Sequence, residues 1–291
     1  MAETAGGAGP VAAEDFDVAE ERDWDILLDE IEEGEVIPII GQDVLRVERD
    51  GLPTDHSQLL ASELAEVLKF TPDGEAPSLS AVAAQYLQRP GARPIELYGP
   101  LKWPVLKLAR EAHPEALGKL AEISPFRLFV TTTFDPWMEQ ALTAAGRSVT
   151  SLAYEPTEQG SDLPRDYDHR KEAFVYHLLG RPGTSAFAVT EEDILEFMHR
   201  LLSPASARRP DQLFDALEKS HLLFLGCRFP DWLTRFFLRM ARGVPLGDPH
   251  GRRNWIAGGT VHGDSAGGLK QFLLTSSQRT KIFKDRDATT F

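Results

Sequence analysis

Four short apolar runs in the 291-residue chain each break into residues that can do chemistry. They are Ile40-Gly41-Gln42-Asp43, the Phe126 run ending in Thr131-Thr132-Thr133-Phe134-Asp135, Leu178-Leu179-Gly180, and Leu225-Gly226-Cys227-Arg228. A glycine such as Gly41 lets backbone N–H groups approach a pyrophosphate with no Cβ in the way. Gly180 and Gly226 offer the same freedom, and Arg228 is suited to a phosphate, with an ion pair to Asp231 as an equal alternative. Asp43 would repel a diphosphate but could accept from a ribose hydroxyl. Thr131, Thr132 and Thr133 present hydroxyls, Asp135 a carboxylate, and His177 the nearest imidazole for acid–base work. Each has a plainer reading. Gly41 serves as a strand-to-loop turn, the threonines as strand residues with satisfied hydroxyls, Asp135 as a helix cap, and His177 as a satisfied, half-buried histidine.

The elements that must position these groups are legible around them. Phe126 to Thr131 has the length and β-prone composition of a buried strand. Asp135 then suits an N-cap, Pro136 a first helical turn, and Trp137, Ala141 and Leu142 a helical stripe. Upstream, Trp24, Leu27, Leu28 and Ile31 predict an amphipathic helix closed by Gly34. Val36 to Ile40 reads as a strand, and Pro38 predicts a place for it near a sheet edge or strand start. Helices are expected near Ser57–Leu68 and Ser78–Leu87, a Pro- and Gly-rich loop over Arg89–Pro104, and helices near Val105–Ala112 and Glu115–Ile123. Further strands fall at Val149–Ala153, Ala173–Leu179, His221–Leu225, Asn254–Ala257 and Thr280–Phe283. Thr190 and Asp193 start a helix to about Leu202, with others expected over Trp232–Ala241 and near Gly267–Leu274. Strands separated by helices predict an α/β fold: a Rossmann-like, doubly wound parallel sheet with a helical insertion between Gly41 and the Phe126 strand. In such a sheet the carboxyl ends of the strands share one ligand crevice.

The order of the four strand ends resembles that of SIR2-like domains, over about Trp24 to Phe283. The family pattern is an apolar strand into Gly-Ala-Gly, then Thr-Thr-Asn-Tyr-Asp. A Lys-Leu-His-Gly strand with a Thr-x-x-Asp-Tyr helix follows, and then a strand into Gly-Tyr-Ser-x-x-Asp. The resemblance implies binding of NAD or an ADP-ribose-like nucleotide at Gly41, Gln42, Asp43, Thr131, Thr132, Gly180, Gly226 and Arg228. Three positions depart from the pattern: Asp43 stands at the second glycine, Thr133 at the asparagine, and Leu179 at the histidine before the glycine. Threonine lacks the amide that donates and accepts across a ribose. His177 shares a face with Leu179 but sits about 6.5 Å upstream, at about 3.3 Å per residue. Two functions stay open. One is a degenerate, pseudoenzyme-like module that binds nucleotide or oligomerises and so regulates a partner. The other is an NAD glycohydrolase (NADase) that depletes NAD through a rearranged site of Asp135, His177 and Thr133. The resemblance further implies a bacterial antiphage or conflict-system setting, a homo-oligomer, and an associated or fused effector such as a TIR domain.

Composition narrows the classes. A net charge of −14 argues against a general nucleic-acid or membrane surface, and Arg208-Arg209 and Arg252-Arg253 read as solvated loops. The single cysteine, Cys227, cannot supply the two Cys pairs of a zinc-ribbon deacylase; zinc is not expected. It reads as a small buried hydrophobe in a cytoplasmic protein. Met1 to about Glu21 reads as a flexible acidic leader, and residues 22–291 as the SIR2-like domain, cut from a longer chain.

Overall fold

A computed structural model describes residues 21–49, 52–74, 77–156, 161–184, 187–202, 209–227, 251–258, 279–283, 288–289 and 291. The acidic leader before Glu21, Arg208, Arg228, Asp231 and the helices expected over Trp232–Ala241 and Gly267–Leu274 lie outside them.

The architecture is a seven-stranded sheet in the order β5-β6-β4-β1-β7-β8-β9, with every neighbouring pair parallel. Its strands are β1 (Val36–Ile40), β4 (Leu128–Thr131), β5 (Val149–Ala153), β6 (Ala173–His177), β7 (His221–Leu225), β8 (Asn254–Ala257) and β9 (Thr280–Phe283). Alternate side chains feed two separate cores. On β1, Val36 and Ile40 enter one core, and Ile37 and Ile39 the other; on β7, Leu223 and Leu225 oppose Leu222 and Phe224. A sheet buried on both faces needs continuous apolar strands, which is why these runs lack polar alternation. The first core is covered by α1 (Glu21–Glu32), the insertion helices and α6 (Trp137–Ala144); the second by α7 (Glu191–Leu202) and α8 (Asp211–Lys219).

The insertion comprises a hairpin, β2 (Arg46–Arg49) with β3 (Leu52–Asp55), and helices α2 (His56–Val67), α3 (Leu79–Leu87), α4 (Ile95–Glu111) and α5 (Glu115–Glu122). Two sequence expectations need correction here. Pro38 lies in the middle of a central strand, not at an edge. The reason is its direction. Ile40 C=O faces β4, accepting from Thr132 N–H, so Pro38, two residues earlier, turns its missing donor the same way. The β1–β4 ladder pairs only Ile39 and Ile40, whereas β7 pairs all of Val36–Ile40. The proline therefore falls where β4 asks for no bond. Likewise Arg89–Pro104 is not a loop throughout, since α4 begins at Ile95 and carries Pro100 and Pro104 inside it. Leu97, Leu101, Val105 and Leu108 form one buried stripe, and their burial outweighs the hydrogen bonds the prolines remove.

Candidate functional site

Chain order reverses at β1, from which β4 leads to one side of the sheet and β7 to the other. This is the switch point where open α/β sheets bind ligands. The loops at its carboxyl edge are built from the predicted residues, but many of their polar groups are already engaged.

The β1 and β7 ends close on each other. A Cβ on Gly41 would lie 2.3 Å from Cys227 Cα and 2.4 Å from the Gly226 carbonyl oxygen. Gly41 N–H donates to Leu225 at 2.8 Å, and Asp43 N–H to Gly226 at 3.0 Å. The close approach that Gly41 permits is thus to the chain's own backbone. Gly226 has φ +62°, and a Cβ there would stand 2.7 Å from that of Asp43. Burial, and then nearby Asp43, push the Cys227 thiol up to about 12, so it is a protonated, buried group with no nucleophilic character near neutrality.

After β4 the three threonine hydroxyls turn inward. Thr131 and Thr133 Oγ1 are 2.8 Å apart, and Thr132 Oγ1 donates to the Ile40 carbonyl at 3.1 Å. Asp135 Oδ1 accepts from Trp137 N–H at 3.2 Å, capping α6 from one residue before Pro136, which falls at the cap position rather than inside the helix. Asp135 Oδ2 is buried without a hydrogen-bond partner among the described residues.

His177, the imidazole expected to be half-buried, is completely buried. Its Nε2 is 2.8 Å from Glu139 Oε1 and its Nδ1 3.2 Å from the Thr133 carbonyl. Ser151 Oγ donates to the same Glu139 oxygen at 2.6 Å. Burial works to raise the Glu139 carboxyl, but His177 and then Ser151 outweigh it and hold it below the ordinary range. Both ring nitrogens face oxygen atoms, one of Glu139 and one of the Thr133 carbonyl. His177 pins α6, β5 and the Thr133 loop together, leaving it no nitrogen for a substrate.

A cavity of about 270 Å³ opens beside this loop. Gln42, Thr132 and Thr133 line it among the predicted residues, with Phe134 and with Leu179 after β6; Gly41, Asp43, Thr131, Asp135, His177, Gly180 and Gly226 do not. The opposite wall comes from the insertion: Asp55, His56, Ser57 and Gln58 at the start of α2, and Ser78 to Ser80 at the start of α3. Both helix starts are well fixed. Asp55 Oδ1 accepts from Ser57 N–H at 2.8 Å, Ser78 Oγ from Ala81 N–H at 3.3 Å, and Ser57 Oγ from Leu79 N–H at 3.1 Å. Val189, Glu191 and Ile194, at the start of α7, complete the lining. Its charged members among the described residues are Asp55 and Glu191, with no lysine or arginine.

His56 is the residue that sequence reasoning missed. It is 5% exposed, its ring lies 4.5 Å from that of Trp137, and its Nε2 has no partner among the described residues. Burial, opposed by Asp135 and then Asp55, holds its pKa below the ordinary value. An unsatisfied buried polar atom costs about 1–3 kcal/mol, so the orphaned atoms of His56 and Asp135 mark a place where stability is given up. Among the described residues no group of three or more His, Cys, Asp or Glu is arranged to hold a metal ion, and no helix is long and apolar enough to cross a membrane. The Arg252-Arg253 pair is not a solvated loop. Arg252 pairs with Glu35, and Arg253 with the buried Glu30, which also accepts from Trp255 Nε1 at 2.9 Å.

Residues 127–258, which take in β4 through β8, match the family model for a SIR2-like domain. This segment is a SIR2-like domain. The matched span supplies Thr132, Thr133, Phe134, Leu179 and the α7 wall of the cavity; the β1 loop and insertion wall precede it. No curated protein matches the chain. Among solved structures, isopentenyl phosphate kinase is similar at 14% identity, over 85% of this chain and 99% of that one, with a TM-score of 0.30. That likeness is too slight to bear on the function of the SIR2-like domain.

Proposed function

We propose that this SIR2-like domain binds an NAD-type nucleotide with the nicotinamide-ribosyl end in the cavity between the β4 loop and the insertion. As a binding module it regulates a partner or associated domain, without the asparagine–histidine route to hydrolysis. SIR2-like domains generally bind NAD-related ligands. The observation that carries the reading is the lining: carboxylates at Asp55 and Glu191, hydroxyls, amides and the imidazole of His56, with no lysine or arginine among the described residues. Such walls favour a cationic pyridinium and a ribose over a diphosphate. About 270 Å³ is at the low end for ligand pockets, room for one end of a dinucleotide. Hydrolysis by the family pattern lacks support, since Thr133 Oγ1 is engaged with Thr131 and both nitrogens of His177 are occupied. The bacterial antiphage or conflict setting, oligomerisation and an effector such as a TIR domain go with this reading, on the strength of the SIR2-like match alone.

Calorimetry with NAD, nicotinamide riboside and ADP-ribose tests it. NAD and the riboside should bind, and ADP-ribose, lacking the pyridinium, more weakly by about tenfold or more. Equal binding of ADP-ribose would remove the pyridinium from the cavity. Steady release of nicotinamide by the purified protein would show that the module is an enzyme.

A further inference from the structure

We infer that His56 is the recognition residue of this cavity, its imidazole hydrogen-bonding the ligand's hydroxyl or carboxamide. The inference rests on the reading of the cavity given above and names the group that makes it selective.

His56 is the first residue of α2, behind the Asp55 cap. The positive end of a helix disfavours an added cation, and burial acts in the same direction. The side chain lines the cavity across from Thr132 and Thr133, and Trp137 fixes its ring from one side. A neutral imidazole has one donor and one acceptor, which matches a hydroxyl or carboxamide, groups that also carry both. His56 Nε2 and Asp135 Oδ2 are each buried without a partner among the described residues, and of the two residues His56 lines the cavity. The wall threonines offer less, since the Thr132 hydroxyl gives its proton to the Ile40 carbonyl and the Thr133 hydroxyl is bonded to that of Thr131, which leaves them chiefly as acceptors.

The charged groups around His56 are Asp55 on its own helix, Asp135 on the β4–α6 loop and Glu191 at the start of α7; Trp137 and Ser78 to Ser80 present no charge. Protonating His56 places a cation beside the site of a pyridinium and removes its only acceptor. Binding should therefore weaken on acidification.

The test is calorimetry of the full chain with nicotinamide riboside and NAD between pH 8 and 5.5. Wild-type affinity should hold through neutral pH and fall only below the ordinary imidazole value of about 6.5, towards the acid end. His56→Gln, which keeps a donor and an acceptor but does not titrate, should bind at pH 8 within about threefold of wild type and lose the pH step. His56→Ala should bind about tenfold more weakly at pH 8. A pH step that survives in His56→Gln, or full affinity in His56→Ala, overturns the inference. Should both variants fail to fold, NMR of the wild-type histidine rings decides it. One neutral ring should shift on ligand addition, and no ring shifting overturns the proposal. Absence of wild-type binding at every pH overturns the reading of the cavity and this inference with it, whereas binding without a pH step overturns the inference alone.

Discussion

Replacing Gly41 with alanine separates two explanations of that glycine. If Gly41 exists to admit a ligand, a methyl group should weaken binding and leave the fold alone. The structure argues otherwise, because the added Cβ would meet Cys227 Cα at 2.3 Å, the Gly226 oxygen at 2.4 Å and Cys227 N at 2.5 Å. All three are backbone atoms, so no side chain can swing aside. Relieving the overlap means moving the ends of β1 and β7 apart by about 1 Å, since real Cβ contacts under 3.0 Å are essentially absent. That movement strains the bonds from Gly41 N–H to Leu225 and from Asp43 N–H to Gly226. Overpacking costs about 1–3 kcal/mol and each weakened bond about 1 kcal/mol, giving a loss of about 3–5 kcal/mol. For a chain of 291 residues, with an unfolding entropy of about 0.6 kcal/mol/K, that lowers Tm by about 5–8 °C. Differential scanning calorimetry without ligand reads it directly. A Tm within about 1 °C of wild type would refute the packing argument and return Gly41 to a role in ligand approach.

Other expectations follow from the same contacts. His177→Ala should cost about 3–5 kcal/mol in urea unfolding, because it strands the buried Glu139 carboxylate; wild-type stability with lost activity would instead mark a catalytic base. His56 has a lowered folded pKa, so its contribution to stability is present above the unfolded value of about 6.5 and lost as pH falls through that region. Urea midpoints should therefore drop between about pH 7 and 5 in wild type and less so in His56→Gln. Tyr98→Phe removes the 3.4 Å bond from Tyr98 to Asp193, which ties α4 to α7, and should cost about 1 kcal/mol, measured by denaturant titration.

The sheet was legible in the sequence because parallel strands buried on both faces are written as unbroken apolar runs. Val36–Ile40, Phe126–Thr131 and His221–Leu225 needed no knowledge of their neighbours. What misled was local chemistry read without direction. Pro38 breaks a ladder only on the side its missing donor faces, and strand order decides which side that is. Pro100 and Pro104 argue for a loop until Leu97, Leu101, Val105 and Leu108 are seen to share a buried face. The hairpin of β2 and β3 did carry a signal, the Asp50-Gly51 dipeptide that favours a two-residue turn. So did α8, whose Leu213, Phe214 and Leu217 make a short apolar stripe.

The candidate site was harder to read, for a physical reason. Strand ends locate a crevice, but they do not say which of their polar groups remain available once the chain has folded. The Thr131 and Thr133 hydroxyls bond to each other, and His177 is taken by Glu139 from α6 and the Thr133 carbonyl. Those bonds join residues up to 44 positions apart and leave no mark in local spacing. His56 is the converse case. In the sequence it is one residue of a helix start, remote from every strand-end motif. The insertion that follows β1 folds back across the switch point, and its first helix delivers that imidazole to the cavity wall opposite Thr132. A site assembled this way can lose each residue of a family pattern and still retain a polar group where a ligand must be held. The decisive comparison is therefore between His177 and His56. If the cavity binds as argued, loss of His177 should act through stability and loss of His56 through affinity.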